Sequence, residues 1–391
     1  IDWWEAGRRH ANFDYVVADL TNNTTNLVVS TTAFIAGVQA NDVVMDSSTG
    51  TRFIVQAGGF GTGTAANATL VLLSGDAAIT AGTHYDATSG TFIVLGNMYA
   101  QGTNQPTAYR ESDIVKRQNP FMIVKGRHEV NGSQATNIGW VNVGGGEYRW
   151  FMYAEQEARK RFEDQREMMM LFGEQHDGGA SLALDNDIAG SEGYFSALEN
   201  RGIQVTNSSA NPLDSFSEMD DIIIELDKQG APSEYAMYLN RKQDLAIDDM
   251  LATGISTGVT AGLSGQFGAF NNDPDMAVNL GFKSFSRGGY TFHKHDWKLL
   301  NDPTLLGASN FVQGAMIPLA NVADAKTGHK APALAMYHKE ANGYSREMEH
   351  WVTGGGVLGH TNNGDLGTDQ AVFHYRSEVA LCVRAANQHV F

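Results

Sequence analysis

Between Asn26 and Asn97 the chain alternates short β-branched runs with turn chemistry. "NLVVSTTAF", "NDVVMD", "RFIVQA", "ATLVLLS" and "TFIVLG" are the apolar runs, and "DSSTGT", "GGFGTGTAAN" and "DATSG" lie among them. Runs of this length bounded by Gly, Asn, Asp and Ser predict strands and tight turns. Five strands in so short a span predict a small antiparallel barrel or sandwich, self-contained like an insertion at 26–97. Residues 98–143 are different. Polar and apolar positions alternate loosely and few large apolar clusters occur, which predicts long strands that need another surface to lie on.

The pattern then changes period. In "GGGEYRWFMYAEQEARKRFEDQREMMMLFGEQH", Phe151, Ala158, Phe162, Met169 and Phe172 recur at helical spacings and form one narrow apolar stripe. Glu155 with Arg159, and Glu157 with Arg161, are i,i+4 pairs in the favourable order, and Arg159 with Glu163 is a reversed pair. A helix from Glu147 to Phe172 would be roughly 39 Å long. With one stripe and charge elsewhere, it predicts a spine laid across a sheet rather than a core helix.

Beyond it, "SEMDDIIIELDKQG" predicts a helix with Ser215 or Ser217 near its N-cap and Gly230 at its end. "PSEYAMYLNRKQDLAIDDMLATG" predicts a second, with Pro232 in its first turn. "FKSFSRGGYTFHKHD" predicts strand, turn, strand. "YSREMEHWVTGGG" and "DQAVFHYRSEVALCVRAANQHVF" predict closing strands, with Val379, Leu381 and Val383 on one face. The order of elements is α+β.

Composition narrows the classes. At 391 residues, two or three domains are expected, and the formal charge of −17 argues against tight general nucleic-acid binding. The lone Cys382 excludes an intrachain disulfide, fits an intracellular assembly site and reads as a small buried hydrophobe. No apolar run approaches the roughly 18 residues of a membrane span.

Candidate chemistry is thin. His293 and His295 alternate on a strand beside Asp296, yet spacing forces no third or fourth ligand, so solvated histidines are expected and no metal or cofactor. Glu347 and Glu349 would share a strand face near His350, with no nucleophile at hand. "GGGEYR" lacks the Lys-Ser/Thr of a phosphate loop, and "GGFGTG" sits between strands. Arg159, Lys160 and Arg161 form a basic patch, read as salt-bridge partners before a DNA contact. Trp3, Trp4, Phe13 and Tyr15 read equally as anchors for a partner surface or as packing on the chain's own domain. No catalytic residue is expected.

One rod helix, an extended two-stranded arm before it, an α+β domain after it and closing strands resemble the order of elements in tailed-phage major capsid proteins of the Hong Kong 97 fold. "EMEHWVTGGG" followed by "YRSEVALCVRAANQHVF", with the β insertion, is similar to members from crAss-like phages. The resemblance implies an N-terminal arm at 1–16, an extended loop at 17–143 carrying the insertion, and a peripheral domain with the spine helix at 144–189. An axial α+β domain at 190–340 and returning strands at 341–391 complete it. It further implies a homo-oligomer of hexamers and pentamers in an icosahedral virion shell around double-stranded DNA, assembled in the host bacterial cytoplasm. Portal, scaffold, protease and decoration proteins would be its partners. Intersubunit contacts would then fall on Trp3, Trp4, Arg8, Arg9, Phe13, Tyr109, Arg110, Lys116, Arg117 and Phe121. The spine would rest on Phe151, Arg159, Arg161, Phe162 and Met169. The alternative is a β-rich phage tail or surface binding module, which the absence of repeats and coiled-coil stretches disfavours.

Overall fold

The computed structural model describes residues 1–7, 12–31, 34, 37–57, 67–75, 78–106, 114–136, 138–142, 148–177, 188–205, 213–259, 283–303, 312–354 and 370–391. The chain forms two compact units, one of residues 6–115 and one of residues 1–5 with 116–391. β1 (Asp2–Ala6) begins the chain.

The smaller unit is all-β. Its strands are β2 (Asn12–Val16), β3 (Leu20–Asn22), β4 (Leu27–Val29), β5 (Asp42–Asp46), β6 (Arg52–Ala57), β7 (Ala68–Leu72) and β8 (Ser89–Asn97). β4 to β8 coincide with the five β-branched runs. They order as β2-β8-β5-β6-β7-β4-β3, with every pairing antiparallel. β2 and β3 are one segment bent at Val17–Asp19. One half therefore pairs with β8 and the other with β4, which closes the sheet into a barrel and leaves neither edge strand long and open. The unit is thus wider than 26–97, because closure needs a strand that precedes it.

Tyr15, Phe34, Phe53, Leu70 and Phe92 are buried in the barrel. Tyr15 stacks on Phe92 at 4.6 Å and donates to Asp46 Oδ1 at 2.7 Å. Asp46, fully buried, also accepts from Ser48 Oγ and from Thr49 N and Oγ1, so its charge is spread over a tight turn. Those bonds hold its carboxyl below the ordinary range against the opposing effect of burial. Gly90 lies under the Tyr15 ring, where an added Cβ would stand 2.6 Å from the hydroxyl.

The larger unit has two layers of sheet and helix. β9 (Ile114–Gln118) pairs with β1. β10 (Met122–Asn131), α1 (Trp150–Phe172) and α2 (Tyr194–Arg201) follow. Next come α3 (Phe216–Lys228), β11 (Glu234–Leu239), α4 (Arg241–Val259), β12 (Ser284–Arg287), β13 (Tyr290–Asp296) and β14 (Gly314–Pro318). β15 (Leu334–His338), β16 (Glu349–Gly354) and β17 (Gln370–Val383) complete the chain's main elements.

β17 is the centre of the first sheet. β10 pairs along it from Met122↔Val379 to Asn131↔Gln370, β16 from Glu349↔Arg376 to Gly354↔Ala371, and β15 from Leu334↔Val383 to His338↔Val379, all antiparallel. Residues 98–143 were expected to contain a two-stranded arm. Instead β9 joins β1, and β10 pairs along the chain's own last strand, whose edge satisfies the backbone N–H and C=O groups of β10.

The second sheet orders as β12-β13-β11-β14, with β11 and β13 parallel. β11 corrects the sequence expectation of one helix through 232–254. Tyr235, Met237 and Leu239 alternate with period two, and placement between two strands overrides helix propensity. Helix α3 is capped as expected: Ser215 and Glu218 form a capping box, and Gly230 takes φ +64° just beyond. The Gly288–Gly289 turn joins β12 to β13 with both φ positive, +59° and +85°, as a two-residue hairpin requires.

The segment 386–391 ties the layers of this unit together. Val390 exchanges backbone bonds with Met316, and Phe391 exchanges them with Ile203 and Val205. His389 is fully buried, with Nδ1 3.1 Å from the Tyr194 hydroxyl. Burial pushes its pKa down to about 4.

Two outcomes follow. Gly90→Val should destabilise the barrel by about 1–3 kcal/mol, read as a lower thermal midpoint. Gly96→Val, which has open space around it, should not. His389 binds a proton in the unfolded chain below its ordinary 6.5 but not in the fold until about pH 4. Stability is therefore full above pH 6.5 and falls as pH drops toward 4, by on the order of 3 kcal/mol. Denaturant titrations from pH 7 to 4 should show that slope, flattened in His389→Asn.

Candidate functional site

Helix α1 lies across the first sheet and touches it narrowly. Among its described side chains only Phe162 is buried. Its ring sits over Gly126 of β10, where a Cβ would come within 2.8 Å, and stacks with Tyr375 of β17 at 5.8 Å. The Tyr375 hydroxyl donates to Glu155 Oε1 at 2.9 Å, and His350 Nε2 lies 3.7 Å from the same carboxylate. Burial and that carboxylate raise the Tyr375 pKa. Glu155 thus turns to the sheet, where a partly enclosed hydroxyl is a better partner than an exposed arginine. Arg159 pairs with Glu163 at 3.1 Å and Arg161 with Glu157 at 3.4 Å, both exposed and each worth about 0.3–0.5 kcal/mol.

Met169 corrects the expected stripe. It repeats the helical phase of Phe162 but is 46% exposed. By that point the helix packs on α2 instead, through Leu171 and through Phe172, which stacks on Phe195 at 5.0 Å. Phe151 lies in the first turn, and its side chain is outside the described residues.

The opposite face of the sheet carries charge. Glu349 and Glu378 are buried under arginine and lysine. Glu378 meets Lys339 at 2.6 Å and Arg346 at 2.8 Å, and Glu349 pairs with Arg376. The Arg376 guanidinium holds the Glu349 carboxyl below its ordinary range. Glu349 is therefore committed to ion pairs, and Glu347, which precedes the strand, contributes a backbone carbonyl to Arg166 at 3.0 Å.

The residues expected to reach a neighbour meet their own chain. Trp3 is buried, with Nε1 donating to Glu5 at 3.1 Å. Trp4 binds the 324–327 turn: its backbone N–H donates to Asp324 Oδ2 at 2.9 Å, and Lys326 Nζ lies 4.5 Å from its ring centre. The N–H groups of Thr327 and Trp4 pull the Asp324 pKa down to about 2. Lys116 pairs with Asp2 at 2.9 Å and Arg117 with Glu5 at 3.4 Å. Phe121 lies under Lys339, 5.2 Å from the ammonium. Phe13 packs in the barrel, edge-on to Phe34. These side chains are drawn home because β1 and the bent first barrel strand have partners within the chain. Arg8, Arg9, Tyr109, Arg110 and the glycine runs at 58–63, 144–146 and 354–356 lie, Gly354 apart, outside the described residues.

His293 is half-buried, His295 stacks on Tyr238 at 5.3 Å, and Asp296 accepts from Arg241. Among the described residues no three His, Cys, Asp or Glu side chains gather as a metal site. Cys382 is fully buried, which pushes its thiol up to about 11. The sequence reading missed Lys294 of β13, whose side chain is 6% exposed between Asp244, at 3.0 Å, and Asp248 of α4. The i,i+4 spacing of those two aspartates was the available signal.

Scanned against models of protein families and against curated proteins, the sequence matches none. Several solved structures are similar in outline. One is described as the cyanophage A-1(L) capsid asymmetric unit, with TM-score 0.43, 11% identity, and 75% of this chain and 84% of that one covered. Another is from Gordonia phage Cozz, with TM-score 0.40, 11% identity, and 75% and 76% covered. A third is the holo-SrpI encapsulin complex from Synechococcus elongatus PCC 7942, with TM-score 0.34, 10% identity, and 71% and 76% covered. At these scores the likeness assigns nothing to this chain by itself.

Phe162→Ala should cost about 3–5 kcal/mol, with Tyr375→Phe milder at about 1 kcal/mol. Chemical denaturation of the purified variants checks both, and equal costs would mean that the hydroxyl, not the ring, seats the helix.

Proposed function

We propose that this chain is the repeating subunit of a closed protein shell, a major capsid protein of the Hong Kong 97 type, with a structural rather than a catalytic role. The observation that carries the reading is α1. A helix of 23 residues whose described side chains bury only Phe162 is poorly covered within one copy. Most helix stability in proteins comes from packing. Such a rod is economical when further copies cover it, and association then stabilises the fold by mass action.

In this reading α1 with the β10, β15, β16 and β17 sheet is the peripheral domain, and the α3, α4 and β11–β14 layer is the axial domain. The barrel is an insertion in the extended loop. Copies form hexamers and pentamers of an icosahedral shell around double-stranded DNA, with assembly in the bacterial cytoplasm and portal, scaffold, protease and decoration proteins as partners. The acidic net charge of −17 suits a lining that must not grip packaged DNA. No helix among the described residues is long and apolar enough to cross a membrane.

Negative-stain microscopy and sedimentation of the purified chain over a concentration series test this. Rings of five or six copies, or closed shells, are the expected outcome. A monomer at every concentration, with or without co-expressed scaffold, would sink the reading.

A further inference from the structure

Helices α3 and α4 lie on the same side of the second sheet. Side chains from both, including Met219, Ile222 and Leu226 of α3 and Ile247 and Met250 of α4, share one core with Tyr235, Met237 and Phe292. They run in the same direction. The α3 C-terminus leads into the start of β11, and only Asn240 separates the end of β11 from α4. At their N-terminal ends Gln243 Nε2 donates to the Leu213 carbonyl at 2.8 Å.

Each helix exposes a row among its described side chains. On α3 the row is Asp221, Ile224 and Lys228, and on α4 it is Lys242, Leu245 and Asp249, all exposed. Ile224 and Leu245 are each 53% exposed, unusual for branched aliphatic side chains on helices whose other described apolar residues are buried or half-buried. Both rows have the spacing i, i+3, i+7, which keeps a row on one helix face. The charge order is reversed between them: acid, aliphatic, base on α3 and base, aliphatic, acid on α4. Lys228 already reaches Glu225 within its helix at 2.9 Å, an exposed pair that yields easily.

We propose that the α3 row of one copy docks on the α4 row of a second copy, side by side and parallel. In that register Asp221 faces Lys242, Ile224 covers Leu245 and Lys228 faces Asp249. Reversing one helix would set Asp221 against Asp249 and Lys228 against Lys242. Between these two rows the pattern therefore selects the parallel meeting; α3 on α3 across a two-fold axis would set Asp221 against Lys228, and Lys242→Asp would then leave association unchanged. Such a head-to-tail contact repeats around a rotation axis running along the helices and forms a ring when that rotation closes, whereas a two-fold axis across the helices would make them antiparallel. The contact rests on the shell reading and gives it a definite lateral interface.

Charge reversal on the full chain tests it, with sedimentation velocity for association and thermal unfolding to check the fold. Both positions are exposed, so Asp221→Lys and Lys242→Asp should melt as the parent does. Each alone should weaken association about tenfold or more. The double variant should recover it, since the reversed charges meet again between copies. Association of either single variant equal to the parent's overturns this contact, and so does a double variant no better than the singles. In both cases the parent's rings or shells leave the shell reading standing. A parent that stays monomeric removes the shell reading and this contact together.

Discussion

Strand β17 is the constraint on which the larger unit depends. Fourteen residues long, it pairs with β10, β16 and β15, strands drawn from widely separated stretches of sequence. Residues 377–383 are buried without interruption, so both faces of that half are covered. Such a strand cannot form early on its own, because its pairings close long loops before any contact repays the lost entropy. Its position fixes the rest. Tyr375 receives Phe162, and with it α1, while Leu381 and Val383 join the core shared with α2.

Charge is handled by the same strand. Glu378 is on β17 itself, and Glu349 faces Arg376 across it. Burying a carboxylate is costly unless cations and hydrogen bonds replace its water. Here Lys339, Arg346 and Arg376 do so from the rim, half in solvent, where their own desolvation is small. Lys294 with Asp244 and Asp248 repeats the device in the second sheet with the signs exchanged. The buried charges described in the two sheets are thus paired with opposite charge, whereas Asp46 in the barrel relies on hydroxyl and N–H donors instead.

The two units solve the edge problem differently. The barrel bends one segment at Val17–Asp19 so that it pairs with both ends of its own sheet. The first sheet leaves β10 at its rim, with Lys125, Arg127 and Glu129 alternating outward, charges that discourage random strand addition. A protein that associates with its own kind needs such discrimination. It must offer some surfaces and withhold others.

What the sequence determined is local and periodic. The five barrel strands, the long helix with Phe162 at its stripe, the capped α3, the glycine hairpin and the closing strands are written in runs of a few residues. There a period of two or 3.6 and a turn residue suffice. What only tertiary structure decided is where those pieces lie. Tyr235 to Leu239 became a strand because β13 and β14 flank it, and β10 left the expected arm because β17 offered it an edge to pair with. Trp3, Trp4 and Phe13 stayed on their own chain because partners for them existed there, and no spacing along the sequence reveals a partner hundreds of residues away. The candidate contact was half legible. The charges and Ile224 are plain in the sequence, but only the sheet beneath them shows which isoleucine of three in a row is left uncovered.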